Sequence, residues 1–592
     1  MKKTIGKVML SGNEAIARGA YEAGVHVASA YPGTPSTEIL ETMAMYKGEV
    51  KAEWAPNEKV AMEVAGGAAI AGAKALCAQK HVGLNVAADP FFSLAYAGVT
   101  GALVVVTADD PGMHSSQNEQ DNRHFARAAK VPLLEPTDSQ EALEMTKIAF
   151  KMSHDFNTPV LLRTTTRISH GRGVVEISDR ELEPVLPYVK DFSKFVLMPA
   201  VSRPIHVKIE ERLIELKKYA ENFKYNNIEM NDKKFGIITS GISYQYAKEV
   251  FPNASFLKLG MSYPFPSDLT KKFIDSVDEV LIIEEGDDFI EGYVKQLGLH
   301  HSKKITGKDV LPFHGEMLPE ILRKYILNET KEKRVVDMTE VPDRPPVLCA
   351  GCPHMGIFDA IKKQKLTVNG DIGCYTLAAL PPWDSMDTCI CMGASISAQS
   401  GFNNSGIEPN TSISVIGDST FIHSGITSLI DMVYNQRNTT VVILDNRITG
   451  MTGQQQNPTT GLTLQGDKTI DMDIEAICKA IGVKWVQRVD NYDIKATSRA
   501  LRDARKFEGV SVLITFQPCV LTDEVKKAPK TPYVVVQEEC TACSACYRLG
   551  CPAISKNDAG LAEIDALACI GCDLCAQVCH PGAMKPITAI KS

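Results

Sequence analysis

Eight of the chain's sixteen cysteines fall in its last 55 residues, in two runs whose spacing suits iron–sulfur clusters. The first run is Cys540, Cys543, Cys546 and Cys551, followed by Pro552. The second is Cys569, Cys572, Cys575 and Cys579, with Pro581 two positions on. Two-cluster ligand runs read C-x2-C-x2-C-x3-C-P, and the fourth cysteine of each run serves the other cluster. That rule assigns Cys540, Cys543, Cys546 and Cys579 to one cluster, and Cys569, Cys572, Cys575 and Cys551 to the other. Such clusters pass single electrons, so a source of electrons is expected upstream. Zinc takes four ligands per site and has no use for triplets of C-x2-C-x2-C. A disulfide scaffold fits poorly with C-x2-C pairs in a chain that lacks a secretion signal. The first run carries four residues, not three, before Cys551, and His580 separates Cys579 from Pro581. The extra residue marks the Cys551 cluster as the labile one.

A second constellation lies upstream. Gly417, Asp418 and Ser419 follow the strand-like run SISVIG, and Asp445 and Asn446 end VVILDN, with Asn446 standing 28 residues after Asp418. An acid and an amide at neighbouring strand ends suit one Mg²⁺, which takes oxygen ligands and commonly bridges a diphosphate. Gly417 lets the backbone approach phosphates, and a helix expected over 424–435 points its N-terminus toward them. Ile448 is counted with Gly417, Asp418, Ser419 and Asn446 in the cofactor-binding set. The plain alternative makes Asp418 a helix cap and Asn446 a turn residue. The pattern is that of thiamine diphosphate, which also needs a glutamate to exchange a proton with its aminopyrimidine. Glu58 heads the small-residue run EKVAMEVAGGAAIAGAKA and is the candidate. Glu63 competes, and a surface helix glutamate is the bland reading of either.

These residues need a scaffold. Residues 1–170 alternate short strands and helices, with helices expected at 13–23 and 58–75 and strands at 25–30 and 102–108. That alternation predicts a parallel α/β sheet. The stretch over 202–234 is charged and helix-like (IEERLIELKKYAENFKY), then polar, and reads as a connector; a fresh α/β unit opens at Phe235 with a strand into a glycine turn. The polar, proline-ended segment 328–346 reads as a boundary. A third α/β region holds strands at 412–416, 440–444 and 510–516, and VKKAPKTP leads to the cysteine-rich tail. Hydrophobic residues make up 44% and charged residues 23%, an ordinary soluble balance. Net charge is −8 without a basic run, which argues against nucleic acid as a partner. The N-terminus has no apolar core of a signal peptide. No apolar run reaches the length of about 18 residues that suggests a membrane helix. A cytoplasmic protein of an oxygen-poor cell is expected.

Several motifs in order make the chain resemble the 2-oxoacid:ferredoxin oxidoreductases over nearly its whole length. They are AYPGTPSTEI (Ala30 to Ile39), NEKVAMEVAGGAAIAGAKA, CAGCPH, GDIGCYTL, GDS with DNRITGMTGQQ, and the tail. The family's glutamate precedes two glycines by nine and fourteen residues, as Glu58 precedes Gly67 and Gly72, which favours Glu58 over Glu63. Ser419 replaces the glycine of the common GDG form. The resemblance implies four domains: a pyrimidine-binding thiamine diphosphate domain (1–200), a transketolase C-terminal-like α/β domain (235–327), a diphosphate- and Mg²⁺-binding domain (347–529), and a small ferredoxin-like α+β domain for two [4Fe–4S] clusters (530–592). It also implies a third, proximal [4Fe–4S] cluster on Cys349, Cys352, Cys374 and Cys519. Cys77, Cys389, Cys391 and Cys478 are left as buried thiols, with Cys389 and Cys391 bordering the diphosphate.

The activity implied is thiamine-dependent oxidative decarboxylation of arylpyruvates with coenzyme A, with electrons passed to ferredoxin. Glu58 and Thr34 are the catalytic residues carried over, Thr34 meeting the substrate. The segment DDPGMHSSQNEQD, residues 109–121, reads as an active-site loop, and His114 in it as a proton-transfer candidate. The chain lacks the extra domain of single-chain relatives, so a small β subunit in an α2β2 assembly is expected. In the family the glutamate and the metal site come from different domains. The rivals are a related enzyme acting on pyruvate, 2-oxoglutarate or phenylglyoxylate, and an electron-transfer subunit without thiamine.

Overall fold

The computed structural model describes residues 5–329 and 345–589, which belong to two compact units. Most of the boundary expected over 328–346 lies outside the described residues. No described helix is long and apolar enough to cross a membrane.

The first unit is built on a seven-stranded sheet in the order Met261–Tyr263, Leu133–Leu134, Val160–Thr165, Ala102–Asp109, Lys74–Lys80, Val27–Ala30, Lys51–Trp54. All its pairings are parallel except that of Met261–Tyr263. The central strands are buried on both faces, which is why they read as apolar runs rather than alternations. A five-stranded sheet follows, ordered Lys304–Thr306, Glu279–Ile283, Asp232–Ser240, Ala254–Leu259, Asn227–Glu229. The helix-like part of the stretch expected as a connector is helical, and its polar part adds a strand. Helix Pro199–Glu221 forms the first, and Asn227–Glu229 pairs antiparallel with Ala254–Leu259.

The second unit carries a six-stranded, all-parallel sheet in the order Thr388–Cys389, Thr367–Gly370, Ser412–Gly417, Thr439–Asp445, Val510–Phe516, Trp485–Asp490. The cysteine-rich tail forms two small antiparallel ribbons, Tyr533–Val535 with Met584–Pro586 and Ile554–Lys556 with Ala562–Ile564. The α/β multi-domain architecture is therefore as the sequence implies, down to parallel sheets whose carboxyl ends gather the motif loops. Crevices at such ends are where open α/β sheets bind ligands.

Two helices differ from expectation. The helix expected to run to residue 75 ends at Ile70, because Gly72 turns at φ 100° and the Ala73 N–H bonds back to Ala68. This frees Lys74 to start the next strand. The helix expected to start at residue 424 starts at Asp418 and passes through a π-turn, Phe421–Gly425, before the regular helix Ile426–Tyr434. The sequence FIHSG has no 3.6-residue period, so the wider turn hid the join. Such turns are frequent at functional sites.

Candidate functional site

In the second unit Gly417 lies in register with Leu444, so Asp418 and Asn446 leave neighbouring strand ends. Asp418 is buried, and its Oδ2 accepts from the Thr459 hydroxyl at 2.9 Å and the Asn457 amide at 3.2 Å. Asn446 Oδ1 accepts from the Ile448 N–H at 3.2 Å. Asn446 Nδ2 faces His354 Nε2 at 3.4 Å, and burial lowers that histidine to about 4, keeping the ring neutral. Thr449 donates its hydroxyl to Ser419 Oγ at 2.9 Å. Gly417 is required by a close approach: a Cβ there would stand 2.8 Å from the Tyr375 ring. Burial, then the nearby Asp445, pushes Asp418 up to about 7. Asp445 is itself flanked by Arg447 and Arg488. A buried carboxylate opposed by another is stabilised by a cation, so the donor set fits a divalent ion.

The same edge carries thiols. Cys349, Cys352, Cys374 and Cys519 lie within one another's electrostatic reach. The Cys519 N–H donates to the Asn446 carbonyl at 3.0 Å, and Cys374 Sγ stands 3.5 Å from the position of a Cβ on Gly450. Burial and the neighbouring sulfurs raise Cys374 to about 11, a bias that a multiply charged iron cluster would reverse.

In the tail, one recess is lined by Cys551, Cys569, Cys572 and Cys575, and another by Cys540, Cys543, Cys546 and Cys579. The crossed grouping is the one the spacing rule gives. The extra residue before Cys551 is absorbed by Gly550, which turns at φ 60°. Helix Leu574–Val578 ties the recesses together, carrying Cys575 and leading into Cys579. Gly351, inside the Cys349–Cys352 loop, lines the Cys551 recess, and its N–H points to the Cys551 sulfur. The Tyr492 hydroxyl donates to the Gly351 carbonyl at 2.8 Å. Cys543 is exposed on the outermost set. Of the remaining thiols, Cys77 and Cys478 are buried as expected. Cys389 and Cys391 are exposed, a correction: Cys389 ends the edge strand Thr388–Cys389, and Cys391 lies in the bend that follows it. Cys389 does reach the Asp371 carbonyl, at 3.6 Å.

In the first unit Glu58 is only 6% exposed and opens a helix capped by Asn57, whose Oδ1 accepts from the Val60 N–H at 2.9 Å. Its carboxylate packs on Gly83, where a Cβ would lie 2.9 Å from Oε1. Glu63 is on the outer face, ion-paired with Lys59. Thr34 is partly exposed, and its carbonyl accepts from the Ser115 hydroxyl at 3.3 Å, so residues 109–121 do reach the YPGTP turn. The base of that loop is anchored by buried charge. Arg123 pairs with Asp121 and Glu284, and Arg163 with Asp109 and Glu135. Burial opposes the charge on Asp110, but hydrogen bonds from Thr166, Ser115 and Ser116 hold it below its usual range. His114 pairs with Glu316 at 3.0 Å.

Asn457 and Thr459 escaped the sequence reading. They sit in a loop without periodicity, and only their polar type in TGQQQNPTTG hinted at a role. His354 ends the CAGCPH motif, but its pairing with Asn446, and that of Tyr492 with Gly351, depend on loop closure and leave no mark in the spacing.

Residues 18–214 match the family described as pyruvate flavodoxin/ferredoxin oxidoreductase, thiamine diP-binding, and residues 371–515 match the C-terminal TPP-binding domain of thiamine pyrophosphate enzymes. The chain is 42% identical over 609 residues to indolepyruvate oxidoreductase subunit IorA of Methanothermobacter thermautotrophicus, covering 98% of this chain and 97% of that protein. It is likewise 42% identical to the protein of the same name from Thermococcus kodakarensis, with the same coverage. A 2-oxoglutarate synthase subunit KorA of Archaeoglobus fulgidus is 24% identical over 47% of this chain and 87% of that protein. Among solved structures, a 2-oxoglutarate:ferredoxin oxidoreductase from Magnetococcus marinus aligns with a TM-score of 0.42 at 17% identity, over 52% of this chain and 62% of that one.

Proposed function

The chain belongs to the indolepyruvate oxidoreductase subunit IorA family of thiamine-binding 2-oxoacid oxidoreductases, and on that premise we propose that it decarboxylates arylpyruvates oxidatively. The products are the arylacetyl-coenzyme A and CO2, and ferredoxin receives the electrons. One observation carries the reading: the Asp418/Asn446 pair and a four-thiol set share one sheet edge, joined by the Cys519–Asn446 hydrogen bond.

Asp418 and Asn446 would hold Mg²⁺, and Gly417, Ser419 and Ile448 would complete the cofactor-binding set. Asn457 and Thr459 keep one Asp418 oxygen occupied and so aim the other. Bound thiamine supplies the electron sink for decarboxylation. Glu58 would exchange a proton with the aminopyrimidine of thiamine, and Thr34 would orient the 2-oxoacid. The three thiol sets would hold [4Fe–4S] clusters, which would supply single-electron carriers. Their seats lie in series: the Cys349 set beside Asn446, the Cys551 set across Gly351, and the Cys540 set, with exposed Cys543, at the exit. A separate small β subunit, in an α2β2 assembly, completes the enzyme.

Anaerobically purified protein is expected to carry about twelve irons per chain, with four cysteines per cubane. A value of about eight would remove one of the three sets. Cys551→Ala is expected to leave a three-iron electron paramagnetic resonance signal, and an unaltered spectrum would take Cys551 out of the ligand set.

The function is tested by ferredoxin or viologen reduction with a panel of 2-oxoacids, with and without coenzyme A, on the complex of both subunits. Arylpyruvates are expected to give the highest kcat/KM, and the chain alone little turnover. Preference for pyruvate or 2-oxoglutarate would overturn the substrate assignment. Full coenzyme A-dependent turnover by the isolated chain would overturn the need for a partner.

A further inference from the structure

One ammonium group among the strand-end loops of the first unit is used by none of the motifs. Lys80 ends the strand Lys74–Lys80, and the helix His81–Val86 that packs on Glu58 begins directly after it. Its stem lies over the YPGTP turn: a Cβ on Gly33, the residue before Thr34, would be 3.4 Å from Lys80 Cγ and Cδ. Nζ donates to the Ser115 carbonyl at 3.1 Å. Ser115 is fixed in turn, its N–H to Asp110 Oδ2 at 2.8 Å and its hydroxyl to the Thr34 carbonyl at 3.3 Å. Lys80 thus sits where the Thr34 turn, residues 109–121 and the Glu58 helix converge.

The other cations of this cluster are committed. Arg123 faces Asp121 and Glu284, Arg163 faces Asp109 and Glu135, and Arg167 faces Glu316. Among the described residues, the hydrogen-bond acceptor of Lys80 is a neutral carbonyl. The charges that face it are Asp110 and Glu58. Burial pulls the ammonium below its ordinary range, and those two carboxylates oppose that pull. A half-buried cation held in place by a neutral acceptor retains the capacity to pair with an anion.

We propose that Lys80 Nζ receives the carboxylate of the 2-oxoacid substrate beside Thr34, making it a specificity-determining residue. The inference rests on the 2-oxoacid reading above. It deepens that reading by separating recognition of the carboxylate from the proton exchange at Glu58. The leaving CO2 is neutral, so a cation that binds the ground-state carboxylate strongly would not raise kcat. Asp110 and Glu58 temper the field of Lys80, so its contribution falls on KM.

The test compares the wild-type complex with Lys80→Met and Lys80→Arg. A charge-assisted hydrogen bond of ordinary strength corresponds to roughly 10- to 100-fold in affinity. Lys80→Met is therefore expected to raise the arylpyruvate KM by roughly that factor, with kcat changed by less than about threefold. Lys80→Arg should recover part of the loss, and the KM for coenzyme A should not move. A second readout is binding, by titration calorimetry, of 3-phenylpropanoate and of its uncharged amide, 3-phenylpropanamide. Lys80→Met should weaken the acid and leave the amide unchanged. An unchanged KM, equal weakening of acid and amide, or a change confined to coenzyme A would each overturn the assignment. If the wild-type complex turns over no 2-oxoacid, the broader reading fails instead, which keeps the two failures apart.

Discussion

Asp418→Ala is expected to weaken Mg²⁺-dependent thiamine diphosphate binding by more than about 100-fold, since even outer partners of a metal site are worth roughly 10- to 100-fold. The carboxylate is buried, one oxygen is committed to Asn457 and Thr459, and the neighbouring carboxylate, Asp445, faces Arg447 and Arg488. Asn446→Ala should behave alike, losing the second ligand and the tie to His354. Thr459→Val is the informative control. It leaves the ligand but releases its orientation, so a loss of about 10-fold is expected, at the low end for such partners. Calorimetric titration of the cofactor with Mg²⁺, on protein whose iron content is unchanged, reads all three. Wild-type affinity in Asp418→Ala would remove this carboxylate from the site.

Glu58→Gln is expected to retain thiamine diphosphate while losing roughly 10²- to 10⁴-fold in turnover, the range of a positioned acid–base group. The amide fills the same space beside Gly83, where even a glycine Cβ would collide with the Glu58 side chain. Loss through misfolding is thereby avoided. Proton exchange at the thiazolium carbon of the bound cofactor, followed by nuclear magnetic resonance, should slow in step with turnover. Glu63→Gln should be neutral, because Glu63 lies on the outer face with Lys59. Normal turnover by Glu58→Gln together with an inactive Glu63→Gln would assign the proton exchange to Glu63 instead.

The parts of the site legible in the sequence are those whose chemistry is fixed by spacing along one strand or turn. Cys540 and Cys579 are far apart in sequence, yet the ligand rule groups them because cluster geometry repeats from chain to chain. Asp418 and Asn446 are legible because parallel strands place successive loop starts on one edge. What stayed hidden depends on long-range closure. The contacts of Asn457 and Thr459 with Asp418 come from a stretch without regular structure between Asp445 and Ile474. The exposure of Cys389 and Cys391 follows from their place at the end of an edge strand and in the bend after it, which composition does not encode. Lys80 looks in the sequence like any solvated strand-end lysine. Only the fold shows that the arginines around it are already spoken for.

Gly351 turns at φ 66°, and a side chain there would strike Ile570, with its Cβ 2.3 Å from Cγ1. That glycine is therefore a party wall: one face belongs to the loop of Cys349 and Cys352, the other to the chamber of Cys551. Iron sites become ordered as they take up metal. With a single peptide as partition, neither chamber has finished walls until the other is furnished. On the proposed cluster assignment, loading of either chamber orders the wall of the other, so the two insertions are coupled.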